Sequence, residues 1–124
     1  MMKRLPDSEL EIMMSIWKLK KPATRPEIEA GMGEDRKLGA TTILSFLSRL
    51  QEKGFLKMEK DGKNNVYTAL ISYEEYSRKE SSNILRKMYQ NSIKNFVAAL
   101  YDGEGISPDE LKELKDYIDE KVQE

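Results

Sequence analysis

The sequence predicts a mainly α protein with one small β-hairpin, and three observations carry that expectation. Apolar residues recur at helical spacing in four separate stretches. Between the second and third of these, the run FLKMEKDGKNNVYTALI changes to strand-like alternation around Asp61-Gly62, a favoured two-residue hairpin loop. Capping patterns, a Thr or Ser followed three residues later by Glu, open helices at Thr24, Ser72 and Ser107.

The elements follow in order. Asp7 to Leu19 forms a first helix, N-capped by Asp7 or Ser8 after Pro6, with Leu10, Met13, Trp17 and Ile12, Ile16, Leu19 at helical spacing. A short second helix opens on Thr24-Arg25-Pro26-Glu27, with Pro in the first turn where no amide donor is needed, and closes at Gly31 and Gly33. A third helix runs roughly from Ala40 to Lys53 with Gly54 as its C-terminal stop. Its period puts Ile43, Leu44, Phe46, Leu47 and Leu50 on one face and Thr41, Ser45, Ser48 and Arg49 opposite. With Asp61-Gly62 as the loop, the hairpin pairs Leu56 with Tyr67 and Met58 with Asn65, leaving one largely apolar face. Ser72-Tyr73-Glu74-Glu75 starts a long helix reaching about Tyr101, and Ser107-Pro108-Asp109-Glu110 caps a last one. A two-stranded hairpin is not stable alone and must lean on the helices before it. Three helices and a hairpin make a winged helix-turn-helix over residues 1–72, followed by a helical domain over residues 73–124.

Composition narrows the function. The 124 residues are 39% hydrophobic and 35% charged with a net charge of −1, which suits one folded domain or a small domain with an appendage. Cys and His are both absent, so disulfides, thiolate chemistry, imidazole bases and Cys/His metal sites are excluded, and no cofactor is expected. The N-terminus lacks the apolar core of a signal peptide. The longest apolar run, Phe96 to Tyr101, is far short of the ~18 residues of a membrane span. A cytoplasmic protein without membrane insertion is expected. Charge is unevenly spread: residues 1–72 carry thirteen Lys/Arg against ten Asp/Glu, residues 73–124 eight against twelve. Such polarity lets the first region face an anion.

The third helix is the natural reader of that anion. In a helix-turn-helix its N-terminal residues lie against base edges in the major groove of double-stranded DNA. Thr41, Thr42 and Ser45 are short enough for close approach and can donate or accept, while Arg49 reaches a phosphate or a guanine. Lys60, Lys63 and Asn64 at the hairpin tip, with Arg36 and Lys37 just before the reader, supply backbone contacts. The bland counterpart is a solvated helix face and a hairpin whose lysines deter strand-to-strand aggregation. Enzymatic readings are weak, since Glu74-Glu75 and Asp109-Glu110 sit in first turns where the helix dipole favours acids. The last two helices carry a stripe of Ile84, Leu85, Met88, Ile93, Phe96, Val97 and Leu100, and another of Leu111, Leu114 and Ile118. This is more apolar surface than two helices can hide, and it predicts a homodimer reading a palindromic operator.

The segments LPDSELEIMMSIWKLKKPATRPEIEAGM and TTILSFLSRLQEKGFLKMEKDGKNNVYTALIS resemble the penicillinase and methicillin-resistance repressors, the BlaI/MecI group, over nearly the whole chain. The resemblance implies a homodimeric repressor of resistance-type genes. It also implies release by a membrane sensor-transducer metalloprotease cutting the dimerisation helix at an Asn-Phe bond, here Asn95–Phe96 within Ser92-Ile93-Lys94-Asn95-Phe96-Val97. Leu38 stands where the resistance repressors often carry Trp, and the paired Cys-x-Cys motifs of the copper-responsive branch are missing. Two alternatives stay open. One is release by a small molecule held between the domains by Tyr73, Tyr76 and Tyr89; the other is a winged helix used purely to bind proteins.

Overall fold

The computed structural model describes residues 2–33 and 38–124. Its elements are α1 (Asp7–Leu19), α2 (Arg25–Ala30), α3 (Ala40–Glu52), β1 (Leu56–Asp61), β2 (Asn64–Ala69), α4 (Tyr73–Tyr89), α5 (Ile93–Asp102) and α6 (Pro108–Val122). Packing divides the chain into Met1–Glu80 and Ser81–Glu124. The division falls after Glu80 rather than after residue 72 because the start of α4 belongs to the first unit: Tyr76 is buried in its core.

In the first unit, Ile12, Met13 and Ile16 of α1, Ile28 of α2 and Ile43, Leu47 and Leu50 of α3 meet Phe55, Leu56 and Tyr67 from the hairpin. Each such buried side chain contributes about 1.5–3 kcal/mol. Trp17 packs on Tyr73 and Tyr76 with ring centroids 5.6 and 5.7 Å apart, and its indole N–H donates to the Ile71 carbonyl at 2.9 Å. The Tyr76 hydroxyl accepts from the Leu5 amide at 2.9 Å, which ties the N-terminal segment to the same cluster.

The helix ends follow local chemistry. The capping box at Thr24 forms in full, Thr24 accepting from the Glu27 amide and Glu27 accepting from the Thr24 amide. Glu27 also takes a 2.6 Å hydrogen bond from Lys21, and these bonds, Lys21 foremost, hold its carboxyl down to about 2. At α1 the expected side-chain cap is absent: Pro6 occupies the capping position with ψ 156°, so Asp7 becomes the first helical residue and its charge serves the helix dipole instead. At the end of α3, Gly54 sits at φ +82°, and the Gly54 and Phe55 amides donate to the Gln51 and Leu50 carbonyls. This is a Schellman motif, one residue beyond the last helical turn, and it aims Phe55 back into the core beside Leu50. Gly31 is required for a different reason: a Cβ there would collide with the Ser15 hydroxyl, which donates to the Ile28 carbonyl at 2.8 Å where α1 meets α2.

The hairpin register differs from the sequence expectation by two residues. Leu56 pairs with Ala69, Met58 with Tyr67 and Asp61 with Asn64, so the loop is Gly62-Lys63 rather than Asp61-Gly62. Gly62 at φ +66° takes the first loop position, as a type II′ turn requires. A slip of two keeps every side chain on its expected face, where a slip of one would have turned the apolar side outward. The ladder is anchored from outside the hairpin: the Ala23 and Tyr67 backbones exchange hydrogen bonds of 3.0 and 2.8 Å, placing the chain just before α2 alongside β2.

In the second unit the expected long helix is broken. Gln90 and Asn91 both adopt left-handed backbone, φ 49° and 66°, and Ser92 caps a new helix by accepting from the Asn95 amide at 3.1 Å. The Asn91-Ser92 pair was the available signal, since Asn tolerates the left-handed region and Ser is a preferred N-cap. Ser107 opens α6 with a complete capping box. None of residues 81–124 is buried. No helix among the described residues is long and apolar enough to cross a membrane.

Candidate nucleic-acid interface

The inner face of α3 is fixed by Ile43, Leu47 and Leu50, all fully buried, and what they leave outside is the candidate surface. Thr41, Thr42, Ser45, Ser48 and Arg49 are exposed, and the four hydroxyls make no hydrogen bond among the described residues. Arg49 lies with its guanidinium carbon 5.3 Å from the centre of the Phe46 ring, a cation–π contact that holds the charge beside the outer face. Leu44 departs from the sequence expectation. Although expected on the core face, it is 46% exposed, because it lies about 100° round the helix from Ile43 and falls outside the buried arc. Leu38 packs against the core from the segment leading into α3.

Lys60, Lys63 and Asn64 are exposed at the hairpin tip, as expected. Arg36 and Lys37 lie outside the described residues. A hollow of about 190 Å³ brings α2, α3 and the hairpin together, with Arg25, Leu44, Lys63, Asn64, Asn65 and Tyr67 among its lining. Sequence reading missed both Arg25 and Leu44 here. Arg25 pairs with Glu29 at 2.9 Å, a spacing of four residues that could have drawn attention to it. The Asn65 side-chain oxygen is buried and has no hydrogen-bond partner among the described residues. At the far end of α3, Lys53 bonds the buried carboxylate of Glu9, fixing that end of α3 against α1.

The residues expected at a dimer interface divide by element. Ile84, Leu85 and Met88 lie on α4, Ile93, Phe96, Val97 and Leu100 on α5, and Leu111, Leu114 and Ile118 on α6. All are exposed or half-buried, Met88 and Ile93 most of all at 70% and 64%. Phe96 packs edge-on against Tyr89 with centroids 5.2 Å apart, and Asn95 is exposed beside it. Tyr73 and Tyr76 are engaged by Trp17 in the first unit and Tyr89 by Phe96 in the second.

Three helices closed by a hairpin, with the outer face of the third helix bare and cations at the hairpin tip, define a winged helix-turn-helix protein. Residues 5–120 match the family model of the penicillinase repressors, and the chain belongs to that family. Its members are transcriptional repressors, not enzymes. It is 30% identical over 117 residues to the methicillin resistance regulatory protein MecI of Mammaliicoccus sciuri, with 94% of each chain covered. Two solution structures of the repressor BlaI are similar at 32% identity, each covering 61% of this chain and 92% of the other. One is the DNA-binding domain, with a TM-score of 0.53. The other is the monomeric form of the Bacillus licheniformis protein in complex with the blaP half-operator, with a TM-score of 0.51.

Proposed function

We propose that the chain is a cytoplasmic, homodimeric repressor that binds a palindromic operator through its winged helix, controls resistance-type genes and is released by cleavage at Asn95–Phe96. The observation that carries the DNA reading is the likeness of 61% of the chain to a BlaI monomer solved on a half-operator, joined to the bare hydroxyl stripe of α3. Thr41, Thr42 and Ser45 read base edges, Arg49 a phosphate or guanine, and Lys60, Lys63 and Asn64 hold the backbone. Arg36 and Lys37 join them from the segment before α3. Support for the dimer comes from the second unit: an element set in which nothing is buried needs a second copy to cover its apolar stripe. Cutting at Asn95–Phe96 separates α4 from most of α5 and all of α6, and so removes the larger part of that stripe. The agent is a membrane-bound metalloprotease.

The test is operator binding across a salt series. Each neutralised phosphate contributes about −0.9 to the slope of log affinity against log salt. Thr41→Ala relaxes sequence preference, whereas Lys63→Ala weakens all duplexes alike and lowers the slope by about 1. A flat salt response, or equal affinity for every duplex, sinks the reading and favours a protein-binding role.

A further inference from the structure

Leu44 occupies an unusual place in α3. Thr41, Leu44, Ser45 and Ser48 follow the three-four-seven spacing of a single helical stripe, and all four are exposed. Leu44 is the only apolar member and the longest side chain on it. A lone exposed Leu is ordinary on a protein surface and needs no explanation. This one stands among hydroxyls on the reading face, at the edge of the hollow whose other walls carry Arg25, Lys63 and Asn64. Lys63 of the hairpin therefore brings an exposed cation to the edge where Leu44 stands, while Arg25 of α2, paired with Glu29, forms the opposite wall.

The rest of the stripe sharpens its role. Purines are read in the major groove by paired hydrogen bonds from Arg, Lys, Asn or Gln. No residue of those types stands between Ala40 and Ser48, and Arg49 comes only in the third turn of α3. Ser and Thr hydroxyls accept several base edges and discriminate weakly. What remains for selection in the first two turns is apolar contact, and the major groove offers one apolar group, the 5-methyl of thymine.

We propose that Leu44 is a specificity-determining residue that packs on a thymine methyl in each half-site, so that an A·T pair is selected by shape rather than by hydrogen bonds. This assignment rests on the DNA-binding reading above. The hydroxyls of Thr41 and Ser45 on either side bond neighbouring base edges, and water is expelled between the Leu44 side chain and the methyl group.

The full-length protein is used to enrich duplexes from a random pool, and each thymine of the enriched half-site is then replaced by deoxyuridine, which deletes only the methyl. At one position the wild type loses about fourfold in affinity per half-site. Leu44→Ala loses a similar amount on the unmodified duplex and nothing further when that same thymine becomes deoxyuridine, while every other thymine behaves alike in both proteins. Losses that simply add at every position overturn the assignment and leave the repressor reading standing, as does an enriched half-site in which Leu44→Ala binds as well as wild type. Failure to enrich any duplex overturns the repressor reading and this assignment with it.

Discussion

The two units are built from helices of similar quality yet differ in what those helices enclose. In Met1–Glu80, seven large side chains from Ile12 to Phe55 are sealed completely. In Ser81–Glu124 nothing is buried, and Val122 at 78% and Met88 at 70% face outward. Capping does not explain the contrast, since Ser92 and Ser107 cap α5 and α6 as well as Thr24 caps α2. Helices of ten and fifteen residues are marginal in water without packing. The lesson is that local signals define a helix, whereas a core requires elements to converge, and the second unit encloses none of its side chains. Charge divides in the same sense: Met1–Glu80 carries the surplus of Lys and Arg, Ser81–Glu124 the surplus of Asp and Glu.

The contrast breaks most sharply in DNA binding. Removing residues 96–124, which ends the chain at the Asn95–Phe96 bond, is expected to leave the first unit folded and, on the proposed dimer, to lower affinity for a two-half-site duplex about 10²–10⁴-fold, with half-site affinity unchanged. Gel-shift titration beside sedimentation velocity checks both parts. Next in size is the sealed core itself. Leu47→Ala is expected to destabilise the first unit by about 2–5 kcal/mol at any protein concentration, read from urea unfolding. On the proposed dimer, Leu114→Ala should by contrast shift a melting temperature that depends on concentration.

Smaller effects sharpen how α2 and α3 are held. Lys53→Ala leaves the Glu9 carboxylate buried without its partner, at an expected cost of about 1.5–3 kcal/mol. Smallest is the pH effect at Glu27. Its carboxyl, lowered from 4.5 to about 2, contributes stability that is fully present above 4.5 and is lost as pH falls toward 2. Glu27→Gln should therefore weaken α2 slightly at neutral pH and match wild type near pH 2, compared by urea midpoints at the two conditions.

Most of the first unit was legible in the sequence because its signals are local. The Thr24 box, the Gly54 stop and the inner face of α3 depend on residues within a few positions of each other. Asp61-Gly62 and Gly62-Lys63 are both good turns, so local sequence does not choose between them; the register seen also lets Tyr67 bridge Ala23, 44 residues away. Leu44 was assigned inward because hydrophobicity alone cannot tell the edge of a buried arc from its centre. The break at Gln90-Asn91 was hidden by apolar spacing that runs on through α5. For the candidate interface, the hydroxyl stripe and the tip lysines were visible in advance; the hollow joining them to Arg25 was not, since it is made by packing three elements together.

The same break at Gln90-Asn91 has a kinetic meaning. An amide in the middle of a continuous helix becomes available for attack only when turns on both sides open together. The Asn95–Phe96 amide is instead within the first turn of α5, where its N–H donates to the Ser92 carbonyl at 3.1 Å and the Ser92 hydroxyl holds the turn closed. Helix ends fray far more often than helix middles open. Two left-handed residues thus move the proposed cleavage bond from the middle of a helix to the first turn of one, where local opening rather than cooperative opening would expose it.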